Sequence, residues 1–489
     1  MNLTASEKHW LPWFGGNAKF KLWWSCIINK TTYTAVEQTF EGIAATRVKL
    51  LHIWTENHWD HLQTLVSSLN INNLENSHTI LKNKLGSGTD FSEIFIINVE
   101  GKILTSTTTS RIGKIHDEKK AIEQATKKAF LHGPYIDPVT LQIGPSSSKF
   151  HDEVTLMFYE PIIQKDRLVA FVCGRVPNDV LGDLIQREAG HIYPESGDNY
   201  LFMVNSNFDT SIVPGIALSR SRFEDSTFSH GENLKSGVHT NYGTVKINRH
   251  TEFEIKFTDP ATNELHPGVR ETIRRGENLY VLYPGYSDYR HIPVIGKGVT
   301  FNLPGSIDKW GMMCEGDLEE VYRRRSINLS LMKLYFIMVI SILGIHEGLY
   351  IYSDLSDIAI KVITGVSAMT SCLIFSKFGT NRISKRLNKM TEVIRTIAEG
   401  EGNLTQRLDS NKIKHDETGD MSRWINSFID NLDGIVGQVI NASTDVKKTN
   451  ENMLARNEEA HSSSSEVYQS MEHMQQLIEE QNHIILQAS

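Results

Sequence analysis

Cysteine is scarce: four occur in 489 residues, Cys26, Cys173, Cys314 and Cys372, with no CxxC pair and no metal-ligand spacing. That excludes a disulfide framework, and the four read as reduced, mostly buried thiols. The N-terminus "MNLTASEKHWLPWFGGNAKFKLWWSCIINK" lacks a signal-peptide pattern. Its longest apolar run, "LWWSCII", is about a third of a membrane span. Glycine in "TIAEGEGN" and "KLGSGTD" is too sparse for a phosphate loop, and no nucleophile elbow, HExxH or deaminase pattern appears. A catalytic constellation is thus missing, which favours a transducer over an enzyme, with no cofactor. A net charge of -8 gives no reason to expect nucleic-acid binding.

What is there is a chain too long for one core, with 40% apolar and 22% charged residues, so several folded domains are expected. From Thr32 to about Leu69 the apolar spacing is helical and no proline interrupts it. The period then changes. "SEIFIINVEGKILTST" and "VTLMFYEPIIQKDRLVAFVCGRV" read as hairpins, and "PNDVLGDLIQRE" as a helix with Pro177 and Asn178 at its start. A second strand-rich round opens at "GDNYLFMVNSNFD" and closes with "DYRHIPVIGKGVTFNLPGSIDKWGMMCEGDLEEV". Between them, "TSIVPGIALSRSRFEDSTFSHGENLKSG" is polar and turn-rich and is expected as a surface loop. In "HIWTENHWDHL", His58 and His61 share a helical face at a spacing that permits metal or haem ligation. No third ligand follows, so packing is the expected role.

Two apolar segments follow, 327–346 and 356–378, with uncharged cores Leu334–Ile345 and Val362–Phe375. Those cores are short enough for buried globular helices. Lys333 and Lys361, one turn inside an end, can snorkel and lengthen the spans. Arg323–Arg325 precede the first segment; Lys377, Arg382, Lys385, Arg386 and Lys389 follow the second; the connection "HEGLYIYSDLSD" is acidic. This is the positive-inside distribution of a helical hairpin whose loop lies outside. With no upstream span, residues 32–322 are expected on the cytoplasmic side of a bacterial inner (cell) membrane, a periplasmic sensor being the alternative.

In "NRISKRLNKMTEVIRTIAEGEGNLTQRLDSNKIKHDETGDMSRWINSFIDNL", Leu387, Met390, Ile394 and Ile397 form one stripe and Met421, Ile425, Phe428 and Leu432 another, joined by a connector with Gly400, Gly402 and Leu404. Through "IAEGEGNLTQRL" and "DETG" this stretch, 380–432, resembles a HAMP domain, a parallel four-helix bundle in a dimer; Arg386 stands where that family has a proline. From 433 to 489 a heptad runs through Val439, Val446, Met453, Ala460, Val467 and Met474, a coiled-coil signal. "LARNEEAHSS" resembles the adaptation site of methyl-accepting chemotaxis receptors; Ala455, Glu458, Glu459, Ser462 and Ser463 match and Leu454 departs. The resemblance implies methylation of Glu458 and Glu459.

Residues 32–322 resemble a double Cache sensor, a long stalk helix with two PAS-like lobes, through Asp288, Tyr289, Arg290, Pro293, Gly296, Trp310 and Glu315, and through "GPYIDPVT", "LMFYEPII" and "DRLVAFV". The distal lobe is expected at about 85–190 and the proximal lobe at about 195–320, after an N-terminal segment 1–31. The fold class is thus α+β: stalk helix and two lobes, membrane hairpin, HAMP and coiled coil. By position on predicted strands and a loop, Tyr135, Asp137, Tyr159 and Arg175 are the small-molecule ligand candidates. The resemblance implies a homodimeric chemotaxis transducer with a histidine kinase, a coupling protein and a receptor methyltransferase as partners. The alternatives are the input half of a sensor histidine kinase or diguanylate cyclase, or a truncated receptor without output.

Overall fold

A computed structural model describes residues 1, 3–69, 74, 77–88, 90–148, 150–186, 192–224, 232–399, 404–409 and 414–488. Two short helices, α1 (Ala5–His9) and α2 (Lys19–Ile28), precede the stalk helix α3 (Tyr33–Ser68) and α4 (His78–Ser87). The distal lobe then contains β1 (Glu93–Asn98), β2 (Ile103–Ser106), α5 (Lys119–Ala125), β3 (Phe130–Ile136), α6 (Pro138–Ile143), β4 (Val154–Gln164), β5 (Arg167–Pro177) and α7 (Asp179–Gln186). The proximal lobe contains β6 (Asp198–Asn205), β7 (Val238–Thr240), β8 (Gly243–Val245), α8 (Pro267–Arg275), β9 (Glu277–Tyr280), β10 (Tyr286–Ser287), β11 (Pro293–Phe301), β12 (Lys309–Asp317) and α9 (Leu318–Val321).

The distal strands form one antiparallel sheet in the order β2-β1-β5-β4-β3. The proximal sheet runs β10-β11-β12-β6, with β9 also paired to β11. Because successive side chains point to opposite faces of a strand, each sheet has two distinct faces. On one, Ile94, Ile96, Leu156, Phe158, Val172, Leu201, Ile295 and Met312 join Leu51, Trp54, Trp59, Leu62 and Leu65 of α3 in a single core. The stalk thus backs both lobes. The opposite faces carry separate cores: Phe95, Ile97, Met157, Tyr159 and Phe171 in the distal lobe, Tyr200, Phe202, Tyr286, Val294 and Met313 in the proximal one.

The segment expected as a surface loop is in large part interior. Leu218 to Glu224 are all buried. Arg220 is held there by Asp179 at 2.7 Å, by Asp152 at 3.2 Å and by Glu224. Arg222 donates to the carbonyl oxygens of Tyr193, Pro194 and Gly197. Such pairing lets a polar sequence go inside without leaving a bare charge. Residues 225–231 of that segment lie outside the described residues.

Two helices long and apolar enough to cross a membrane follow. The first, α10 (Ile327–Tyr352), is longer than its sequence pattern suggested and takes in most of the expected connection. Ser326 caps its start, and Ser356 caps α11 (Asp357–Phe375). Beyond α11 the backbone stays helical through a π stretch, Ser376–Thr380, into α12 (Asn381–Glu399). The helix runs through Arg386 without a break. The final helix, α13 (Glu417–Ala488), is unbroken. Residues 1–428 form one compact unit and 429–489 a second. Gly400 and Gly402 lie outside the described residues, whereas Leu408 exchanges hydrogen bonds with the Asn426 amide at 2.9 Å in both directions.

Candidate functional site

The face of the distal sheet turned away from α3 changes character at its β3 end. In β1, Glu93 is the one acidic residue of an apolar strand, and antiparallel register sets it opposite Arg175 of β5. Arg175 is fully buried. Its Nε donates to Glu93 Oε2 at 3.1 Å, and its Nη1 donates to Asp137 Oδ2 at 2.5 Å and to Thr140 Oγ1 at 2.7 Å. Its Nη2 is buried and makes no hydrogen bond. Arg111 is a second guanidinium on Glu93, whose other oxygen accepts from Ser106 Oγ at 2.6 Å.

Asp137 is in place because α6 begins there. It is the N-cap, its Oδ1 accepting from the Val139 N–H at 2.9 Å, with Pro138 at the first helical position. Burial alone would raise its carboxyl pKa; the adjacent Arg175 and the Val139 N–H together hold it below the usual value. The Tyr135 hydroxyl lies 3.4 Å from Asp137 Oδ2, and its ring stacks on His132 with centroids 4.0 Å apart. Glu118 approaches His132 at 3.9 Å. Burial, then the charges of Asp137 and Asp117, push the Glu118 carboxyl up to about 7. Burial holds His132 down to about 4. His116 is pushed down to about 3 by burial and by Arg175 and Arg111, and bonds Tyr159 through Nε2 at 2.7 Å. Both imidazoles are neutral at neutral pH.

Of the four residues singled out from sequence, Tyr135, Asp137 and Arg175 meet directly, and Tyr159 lies buried on the same face with its hydroxyl on His116. Sequence reasoning passed over Glu93, Arg111, His116, Glu118, His132 and Thr140. A signal for one of them existed: Glu93, the acid in "SEIFIIN", is conspicuous in a strand otherwise apolar and buried. Chemically, the site offers a fixed carboxylate, a second acid that titrates near neutrality, an aromatic wall and a guanidinium with an unused donor. That set suits a small polar or zwitterionic molecule.

The stalk histidines are occupied by packing. His58 Nδ1 is 2.7 Å from the Trp54 carbonyl oxygen, and His61 Nε2 is 3.0 Å from that of Lys84. Between the lobes, donor atoms of Asp152, His250 and Glu252 lie within 4.8 Å of one another, a set that could hold a cation. Asp152 already pairs with His250 at 2.8 Å and with Arg220.

Glu458 and Glu459 lie on α13, where Glu458 is exposed, as are Ser462 and Ser463; the side chains of Glu459 and Ala455 are outside the described set. In α12 and the start of α13, Met390 and Ile425 are buried while Leu387, Ile394, Met421 and Phe428 are exposed.

Residues 378–434 match the HAMP domain family. No curated protein matches the chain. Among solved structures, the chain is similar to the ligand-binding domain of the Pseudomonas aeruginosa PAO1 amino acid chemoreceptor PctB in complex with L-Gln, at 13% identity over 58% of this chain and 92% of that one, with a TM-score of 0.35. It is similar to the sensory domain of the Campylobacter jejuni chemoreceptor Tlp3, at 11% identity over 59% of this chain and 96% of that one, TM-score 0.34. An extracellular ligand binding receptor from Desulfohalobium retbaense matches at 10% identity, TM-score 0.35, over 57% of this chain, which spans 40% of that protein's length. With a HAMP domain directly after two apolar helices of spanning length, the chain is a transmembrane sensor-transducer.

Proposed function

We propose that the chain is a homodimeric chemoreceptor-type transducer of the bacterial inner membrane. A small molecule binds at Tyr135, Asp137, Tyr159 and Arg175, and HAMP relays the change to a coiled coil that controls a separate histidine kinase through a coupling protein. The observation that carries this reading is the distal polar face, with its buried guanidinium donor, in a chain whose spans lead into HAMP. The ligand class is a small molecule with an ammonium for Asp137 and Glu118 and an anionic group for Arg175. Calorimetry of the full chain in lipid discs against the amino acids tests it. At least one should bind, and Asp137→Asn should weaken that ligand at least about tenfold, the equivalent of a lost charge-assisted hydrogen bond. Binding unchanged by Asp137→Asn would reject the site.

The sensor and HAMP share one side of the membrane, the cytoplasmic side. Two crossings return the chain to the side it left, and the sensor's exit touches HAMP directly. The Arg325 N–H donates to the His415 carbonyl at 2.8 Å, the Ile327 N–H to Glu417 Oε2 at 2.7 Å, and Arg324 pairs with Glu417 at 3.3 Å and Asp420 at 3.2 Å. Glu417 and Asp420 start α13, so any movement of the 318–325 segment acts on HAMP without crossing lipid. The test is single cysteines near Ser236 and Ser353 in intact cells with an impermeant maleimide. Only the Ser353 position should react; strong labelling near Ser236 points to a periplasmic sensor.

Dimerisation and methylation at Glu458 and Glu459 belong to the same reading. The exposed stripe of Leu387, Ile394, Met421 and Phe428 needs a partner helix pair. Phe428→Glu should shift the detergent-solubilised chain toward monomer in sedimentation, and a receptor methyltransferase with labelled methyl donor should mark the Ala455–Ser463 peptide.

A further inference from the structure

Helix α2 buries one face and exposes an aromatic one. Leu22, Ser25, Cys26 and the following Asn29 are buried, at spacings of three and four residues. Phe20, Trp23, Trp24 and Ile27 repeat the same spacing and are exposed, Phe20 to 64% and Trp24 to 51%. At about 100° per residue the two sets point in nearly opposite directions, with Lys19 and Lys21 near the margins between them. Trp13 and Phe14, 68% and 89% exposed, extend the patch, and Lys19 Nζ stands 4.9 Å over the Trp13 ring. Water is a poor neighbour for this surface, since six large apolar side chains in the fifteen residues 13–27 gain nothing there.

The position of α2 says what covers it. Its buried side is tied to the segment that enters the first membrane helix. Asn29 Nδ2 donates to the carbonyls of Tyr322 at 3.1 Å and Arg324 at 3.0 Å. Arg325 Nη2 donates to Ser25 Oγ at 3.1 Å, and Lys21 pairs with Glu319 at 3.0 Å. Arg325 is two residues before Ile327, where α10 begins. The aromatic face of α2 therefore stands at the level where α10 meets the headgroups. Tryptophan beside lysine is the composition of that layer.

We propose that α2 is an interfacial helix that lies on the lipid surface beside the entrance of α10, its Phe20, Trp23, Trp24 and Ile27 side chains sunk among the headgroups and the preceding Trp13 and Phe14 extending the contact. It holds the base of the sensor at a fixed height over the membrane. The inference rests on α10 and α11 spanning the bilayer, and it holds whichever side the sensor occupies.

The test uses the full chain in phosphatidylcholine–phosphatidylglycerol discs with an environment-sensitive fluorophore on single cysteines. Cys26, Cys173 and Cys314 are buried, and Cys372, exposed on α11, serves as a native control. Trp24→Cys and Ser236→Cys are placed in a Cys372→Ala background. The Trp24 position should be quenched at least about twofold by lipids carrying a nitroxide high on the acyl chain, the depth of an interfacial helix. The Ser236 position should not respond. Quenching at Cys372 without any at position 24 overturns the interfacial helix while leaving the spans intact; no quenching at either overturns the spans. A label at 24 that is shielded from water yet indifferent to lipid nitroxides assigns the patch to a protein contact, and also overturns the proposal.

Discussion

In the distal lobe the sheet face away from the stalk carries Arg175, Asp137, Tyr135 and Glu118; in the proximal lobe the equivalent face carries Tyr200, His266, Tyr286 and Glu315. The proximal group is shut. Both tyrosine hydroxyls donate to Glu315, Tyr200 at 2.8 Å and Tyr286 at 2.7 Å, and Tyr200 also meets His266 Nε2 at 2.9 Å. All four are buried. In the distal group Tyr135, Asp137 and Glu118 remain partly accessible. The same scaffold thus turns polar residues into a closed core in one lobe and leaves them partly accessible in the other. Charge also divides the lobes: the proximal group relies on a carboxyl pushed up to about 8 by burial and by Asp288, the distal one on a guanidinium among anions.

The largest effect should come from breaking the distal network. Arg175→Met leaves Glu93 and Asp137 without their central cation, and a buried pair broken on one side costs about 3–5 kcal/mol. Thermal unfolding of the full chain in detergent should show the transition moving down by many degrees; a shift no larger than for an exposed substitution would mean the network is solvated. Next comes pH. Glu315 keeps its proton when folded up to about 8 but loses it near 4.5 when unfolded. The folded state therefore binds the extra proton between those values, and stability falls as pH rises through that window, by at most about 1.4 kcal/mol per pH unit. Glu315→Gln should flatten that part of a melting-temperature profile. The smallest effect on stability should be at Glu118, half-open at the distal rim. Glu118→Gln should leave the melting temperature nearly unchanged. For an ammonium ligand it should abolish the rise in affinity as the carboxyl ionises near pH 7. A Glu118→Gln variant that melts like Arg175→Met would erase the distinction between the lobes.

Periodicity made the regular elements legible. The stalk expected from Thr32 to Leu69 is α3, Tyr33–Ser68, and the two distal hairpins are β1–β2 and β4–β5. Their turns carry the expected signatures: Gly101 has a positive φ of 84° next to Glu100, and Lys165 and Asp166 adopt φ of 48° and 60°. Long-range charge was not legible. Nothing local to "SRSRFED" announces that Arg220 will meet Asp179, 41 residues earlier, so a polar string that lies inside resembles one that lies outside. The candidate site divides the same way. Tyr135, Asp137, Tyr159 and Arg175 could be chosen by position on predicted strands and a loop. Glu93 needed the register of two strands 82 residues apart, and Glu118 needed the fold of the loop over the sheet.

One amide bond donor ties together residues that are 293 apart in sequence: Asn29, just before the stalk, holds the carbonyl of Tyr322, just before the membrane. The chain enters and leaves the sensor through one doorway. A module with its two ends side by side can be lifted out and another put in, without re-threading what lies beneath. The same closure makes residues 29–322 a natural cassette for recombination, and it fixes the site at which a foreign sensor would have to be spliced to drive this HAMP domain.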